Sequence, residues 1–304
     1  MQRAVRSLLF AAACLAAGAQ AQTAAAPRAP NEELKRLCAT IAMAPADPRE
    51  AARRAECVLA GAIPSTNRFE EARVFARWAL SKGEPAGGLM LYLAFQNDPA
   101  NQFLREGRID PERYRQLATR TLEQRREQVD AIEGLGFAAG RNYPGAGPLL
   151  AAYFHDTLAP RNVSRLGALT ALLIRNGEHG SVIERFAREA DAIARDGAGT
   201  KASARVFLES YREAAAAAQQ GYREQAGGKT CEDVQLRSVS AGEIQGAEFL
   251  PLTGTLVAES YLVRGHWSEF WTFRACGQEV PVKLTFQADG WGGSSTAASY
   301  NKGT

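Results

Sequence analysis

The stretch from Phe69 to Phe95, FEEARVFARWALSKGEPAGGLMLYLAF, decides the fold class of most of the chain. Phe69, Ala72, Ala76, Ala79 and Leu80 recur at the spacing of one face of an α-helix. Gly83 stops that helix, and Pro85 fits the first position of the next, where its missing N–H costs nothing. From Leu89 to Phe95 the chain is apolar nearly all round, which predicts a helix buried on several sides. Two such helices joined by so few residues form an antiparallel hairpin.

The same grammar extends in both directions, from about Glu32 to Gln220. Towards the N-terminus, Cys38 and Cys57 fall on two helices separated by the breaker Pro45-Ala46-Asp47-Pro48. Towards the C-terminus, Asp110-Pro111-Glu112 starts a helix that is predicted to run past Val129 and Ile132 until Gly134 and Gly136 break it. Pro148 opens another through Tyr153 and Phe154. Asn162 is placed as the cap of a helix ending at Asn176-Gly177, and Ser181 and Glu184 have capping-box spacing for the next. A last helix covers Ala202 to Ala218. Residues 219–230 then read as a polar, glycine-containing linker.

Phe69-x-x-Ala72, Trp78-Ala79-x-x-x-Gly83-x-Pro85-Ala86, Leu89 and Tyr92-Leu93 resemble a unit of the Sel-like branch of tetratricopeptide (TPR) repeats. The resemblance is good for that one unit and degenerate in the other helices. It implies a helical-repeat, TPR-like array over residues 32–218, with a concave face that binds protein or peptide and no catalysis. A non-repetitive helical bundle is the alternative.

Beyond Cys231 the period becomes two. Val280, Val282, Leu284 and Phe286 share one face while Pro281, Lys283, Thr285 and Gln287 share the other. Trp267, Trp271 and Phe273 alternate with Ser268, Thr272 and Arg274, and the turn Cys276-Gly277-Gln278-Glu279 joins the two runs into a hairpin. Further strands are expected from Leu256 to Val263 and from Val234 to Val239. Gly290 to Ser295 is expected to be a turn leading into a loose terminus. The fold class is therefore α+β: an antiparallel helical array followed by a small antiparallel β domain over 231–304. Trp267-x-Glu269-x-Trp271, Cys276-Gly277, Val280-Pro281-Val282 and Asp289-Gly290-x-Gly292-Gly293 resemble a C-terminal module of exported proteobacterial proteins, which implies location and no activity.

Export is also read at the N-terminus. Arg3 and Arg6, an apolar run from Leu8 to Ala17, and Ala19-Gln20-Ala21 have the three parts of a cleavable signal peptide over 1–21. Residues 22–31 form a flexible lead-in. Lipidation at Cys14 is the lesser alternative, because Ala11-Ala12-Ala13 lacks the large aliphatic residue expected before a lipidated cysteine. The expected location is the periplasm or the exterior. Four cysteines remain, and local pairing of Cys38 with Cys57 and of Cys231 with Cys276 is expected in an oxidising compartment. The full chain carries 36 basic and 33 acidic residues; loss of Arg3 and Arg6 lowers the net charge from +3 to +1. So small an excess supports no nucleic-acid partner, and no later segment is long and apolar enough for a membrane span.

Signs of catalysis are sparse. His155 is followed by Asp156, but neighbours on a helix do not face one another. His179 lies in a turn, His266 begins a strand, and Glu189 with Asp191 sits among many other charges. No nucleophile elbow, zinc-protease motif or phosphate-binding loop occurs. No catalytic residue, cofactor or metal is assigned. Trp267, Trp271 and Trp291 are candidate ligand-contact aromatics, since a small sheet can leave one face open; packing against the last helix is the competing reading. The expected function is a non-catalytic scaffold for an envelope or secreted protein or peptide. The alternatives are an envelope enzyme without local motifs and a carbohydrate- or peptide-binding C-terminal module.

Overall fold

The structure, a computed structural model, describes residues 32–105 and 108–301. The segment read as a signal peptide, with Cys14, and the whole lead-in lie outside them. The chain divides into two compact units: one holds Met1–Leu150 with Pro251–Ala258, the other Ala151–Leu250 with Glu259–Thr304. The boundary therefore falls near Leu150 and not at 219–230, and the helices over 32–218 are shared between two units.

The first unit begins with α1 (Glu32–Ala39), α2 (Pro48–Leu59), α3 (Arg68–Ser81) and α4 (Pro85–Asn97). Asp47 caps α2 by accepting from the Arg49 N–H at 2.8 Å, with Pro48 at the first helical position. The Cys38–Cys57 disulfide joins α1 to α2 across a Cα separation of 5.7 Å. In α4 every residue from Gly87 to Phe95 is buried, as its all-round apolar character requires. Two adjacent glycines make this burial feasible. A Cβ on Gly87 would stand 2.6 Å from the Ala76 carbonyl oxygen on α3, and one on Gly88 would stand 2.3 Å from the Gly134 carbonyl oxygen. Successive helical residues point about 100° apart, so the pair lets α4 press against a different helix on each side.

That second neighbour is α6 (Arg126–Gly140), which follows β1 (Leu104–Arg105), β2 (Arg108–Ile109), α5 (Pro111–Ala118) and a 3-10 turn (Glu123–Arg125). The single long helix expected from Asp110 is therefore two. Nor do Gly134 and Gly136 break α6. Gly134 meets Gly88, and a Cβ on Gly136 would lie 2.9 Å from Val257 Cγ1. Val257 is fully buried there, and the Gly254 N–H donates to the Glu133 carboxylate at 3.0 Å. This docking explains why Leu256 to Ala258 is a turn and not the expected strand.

Helix α7 (Ala146–Asp156) ends in the second unit, which continues with α8 (Asn162–Arg175), α9 (Ser181–Asp196) and α10 (Ala204–Gln225). Asn162 is the first residue of α8, not its cap; its side-chain amide donates to the carbonyls of Thr157 and Ser260 at 2.7 and 2.9 Å. The capping box at Ser181 does not form: Gly180 is the N-cap and bonds through no side chain.

The sheet contains β3 (Val234–Ala241), β4 (Gln245–Phe249), β5 (Leu262–Ala275), β6 (Gln278–Ala288) and β7 (Ser294–Tyr300), all antiparallel. Its order is β3-β5-β6-β7, with β4 also paired to β5. β5 and β6 meet at Cys276-Gly277, both with positive φ (45° and 87°), the conformation of a two-residue hairpin turn. The terminus expected to be loose is β7, in unbroken register with β6 from Val282↔Tyr300 to Ala288↔Ser294.

Helix α10 lies on the inner face of the sheet. Phe207 stacks on Trp271 at 4.7 Å and Tyr211 meets the edge of Phe273 at 5.9 Å. Ala214, Ala218, Gly221 and Tyr222 are buried further along, and a Cβ on Gly221 would fall 2.5 Å from the Tyr300 ring. That packing holds residues 219–225 helical, where a linker was expected. The Cys231–Cys276 disulfide ties the start of β3 to the hairpin turn, with Cα atoms 5.9 Å apart. Its 45-residue separation implies about 4 kcal/mol of loop-closure stabilisation, against about 3 for the 19-residue Cys38–Cys57 span. A Cys231→Ser/Cys276→Ser double variant is expected to lose about that larger amount in urea unfolding, and non-reducing peptide maps of the parent chain should contain both local linkages. A crossed linkage in those maps would contradict this topology.

Candidate functional site

In the first unit, residues between α3 and α6 surround an open polar cleft of about 730 Å³. Helix α4 ends at Asn97 because Pro99 disfavours helical backbone at the residue before it, and Asp98 adopts an extended ψ of 118°. Asp98 caps the short 3-10 turn Pro99–Asn101 by accepting from the Ala100 N–H at 2.8 Å. This bend presents the Ala100 carbonyl and the Asn101 side chain to the cleft. Across from it, Asp110 caps α5 by accepting from the N–H groups of Glu112 and Arg113.

The break between α5 and α6 is filled by Arg125, which is 1% exposed. Its guanidinium donates to the carbonyls of Leu117, Ala118 and Arg120 and to Gln128 Oε1, all between 3.1 and 3.2 Å. The Leu117 and Ala118 carbonyls belong to the end of α5, where helices leave acceptors unpaired and favour a cation, and Arg120 lies just beyond its C-cap. Arg125 is thus the internal plug of the bend.

Three other arginines, unlike Arg125, line the cleft itself. Arg73 is neutralised: it bonds Asp98 at 2.8 Å and Glu70 at 2.9 Å, with Glu127 at 3.5 Å. Burial pulls its pKa down, but the bonds to Asp98 and Glu70 and the nearby acidic charges outweigh that and hold it above the usual arginine value. Arg113 donates to the carbonyls of Gln102 and Ala100. Arg120 donates to Asn101 Oδ1 at 3.0 Å and to the same Ala100 carbonyl. Burial, together with the charges of Arg113 and Arg125, lowers the pKa of Arg120. The lining contains no histidine or cysteine, and the Thr119 hydroxyl donates back to the carbonyls of Arg115 and Gln116. Its guanidinium, amide and carboxylate groups can bind charged, hydrogen-bonding groups.

In the second unit, His155 is 6% exposed and stacks on Phe186 at 4.3 Å. Nδ1 lies 2.6 Å from Asp156 Oδ1 and Nε2 lies 2.9 Å from Glu189 Oε2. The expectation that His155 and Asp156 do not meet fails, because Asp156 is the last residue of α7 and its side chain turns back. Both nitrogens are occupied by carboxylates, and the bond to Glu189 joins α7 to α9. His179 and His266 are exposed, and among the described residues no group of histidine, cysteine and carboxylate side chains could hold a metal ion.

Trp267 and Trp271 do not form a ligand platform: they are 3% and 0% exposed. Both indole N–H groups donate to the fully buried carboxylate of Glu269, at 2.9 and 2.8 Å. The same carboxylate accepts from the Lys201 N–H at 2.8 Å and from the Thr200 hydroxyl. In a strand, residues 267, 269 and 271 share a face, so Trp-x-Glu-x-Trp is a clasp that pins the start of α10 to the sheet. Trp267 also stacks on Phe286 at 4.9 Å. Trp291 is half-buried, in a turn where its N–H donates to Asp289 Oδ1 at 2.7 Å. The most exposed large aromatic on the sheet is instead Phe270, at 43%.

Both disulfides are formed, as is usual outside the cytoplasm and rare within it. No described helix is long and apolar enough to cross a membrane. Compared with protein-family models, curated proteins and solved structures, the chain matches none.

Proposed function

We propose that this is an exported, periplasmic or secreted, non-catalytic binding protein that receives a segment of another envelope or secreted protein, or a peptide, in the arginine-lined cleft of its first unit. The observation that carries the reading is the cleft: about 730 Å³, open, polar, and lined by guanidinium, amide and carboxylate groups with no nucleophile–base pair among them. The signal-like N-terminus and the disulfides support export. The resemblance of Phe69 to Leu93 to a Sel-like repeat supports a role in protein binding. The absence of a free ring nitrogen on His155 favours a structural clamp over a general base.

The reading is tested by placing a photo-crosslinking amino acid at Gln116 on the cleft, with Met43, 85% exposed and outside the lining, as the control. Irradiation in the cell envelope is expected to yield a discrete protein or peptide adduct from position 116 and none from position 43. Equal labelling from both positions, or none from 116, would overturn it.

A further inference from the structure

We infer that the cleft recognises a carboxylate on its ligand, an acidic side chain or a free C-terminus of a peptide, through Arg113 and Arg120. This rests on the binding-protein reading and specifies its chemistry. The geometry is a convergence of two guanidinium groups on one neutral atom. Arg113 Nη2 and Arg120 Nη2 both donate to the Ala100 carbonyl oxygen. The remaining bonds of these two side chains go to the Gln102 carbonyl and Asn101 Oδ1. Among the described residues neither has a carboxylate within salt-bridge distance, whereas Arg73 in the same lining has three. Two half-buried cations side by side, satisfied only by dipoles, form an arrangement that a bound anion stabilises. Burial lowers the pKa of Arg120, and the charges of Arg113 and Arg125 lower it further, against the opposite pull of Glu127 and Asp98.

The charge of the lining selects among oxyanions. Arg73, Arg113 and Arg120 stand against Asp98 and Glu127, which leaves an excess of a single positive charge. A monovalent carboxylate balances it. A phosphate dianion overshoots it and meets two carboxylates in the same space. Gln116 and Gln124 also line the cleft; Gln116 Nε2 donates to Glu112 and Gln124 Oε1 accepts from the Thr121 N–H, which leaves Gln116 Oε1 and Gln124 Nε2 for peptide groups flanking the carboxylate.

The test uses the mature chain and three probes in calorimetric or NMR titrations: an end-blocked pentapeptide with one central glutamate, its glutamine counterpart, and inorganic phosphate. The glutamate peptide is expected to bind at least about tenfold more tightly than the glutamine peptide, the increment of a charge-assisted pair. Phosphate is expected to bind more weakly than the glutamate peptide. Arg113→Gln and Arg120→Gln should each abolish the preference, Arg120→Lys should restore part of it, and thermal melts should show that the variants remain folded. A second pair, Arg113→Lys and Lys82→Ala, the latter exposed and outside the lining, keeps the question open to measurement if a glutamine variant does not fold: the first should weaken the glutamate preference and the second should leave it. Equal binding of the two peptides, no binding of the glutamate peptide at millimolar concentration, or stronger binding of phosphate would each overturn the inference. A protein adduct at position 116 combined with equal affinities would sink the carboxylate assignment while sparing the binding-protein reading.

Discussion

Glu269→Ala is expected to destabilise the second unit by about 3 kcal/mol or more, because it strands donors that have no route to water. The indole N–H groups of Trp267 and Trp271 lose their acceptor inside a strand face that is closed to solvent, and the Lys201 N–H loses the bond that holds the entry of α10. Each buried donor left unmade costs about 1–3 kcal/mol. Glu269→Gln is expected to cost less but still about 1–3 kcal/mol, since the amide oxygen keeps one set of donors while its NH₂ faces the other. Chemical denaturation of both variants, followed by tryptophan fluorescence, measures the order Ala worse than Gln worse than parent. A loss below about 1 kcal/mol for the alanine variant would mean that the carboxylate is not the node of this network.

The second large effect is at the crossing of α4 and α6. Helix propensity alone makes Gly88→Ala stabilising by about 1 kcal/mol. The structure reverses the sign. The added methyl group would sit 2.3 Å from the Gly134 carbonyl oxygen, a backbone atom that cannot rotate away, so the helices must part. A loss of about 3 kcal/mol or more is expected, at the upper end of overpacking. Gly134→Ala, whose nearest approach is 2.8 Å, should be milder. Gly167→Ala on α8 provides the control, since its Cβ would meet Ala190 Cβ at 3.7 Å, an ordinary contact. That variant should follow propensity and be neutral or stabilising by up to about 1 kcal/mol. Melting temperatures of the three chains would decide between propensity and packing.

These two sites show why local reading stopped where it did. Gly134 and Gly136 look like helix breakers in one dimension, because a glycine weakens any helix in isolation. In three dimensions each is the point where another backbone or Val257 comes within reach, and that contact keeps α6 intact. Trp-x-Glu-x-Trp left both an exposed face and packing against the last helix open, because two-residue alternation fixes a shared face without saying which face is covered. The cleft had no sequence signature at all. Arg73, Arg113 and Arg120 are carried by separate elements, and Arg120 looks like any charge on a solvated helix until the chain bends around Arg125.

The sequence by itself determined the helical hairpins, the cysteine partners and the inward row Val280, Val282, Leu284 and Phe286, because capping, proline placement, local loop closure and periodicity act within a few turns of the chain. Only the tertiary structure decided where one unit gives way to the next, how far α10 runs, that β7 is a strand, which carboxylate receives two indoles, and which guanidinium groups share a cleft. Those outcomes depend on atoms brought together from distant positions, where close backbone approach, burial of donors and proximity of like charges set the energies, and none of these has a period along the chain.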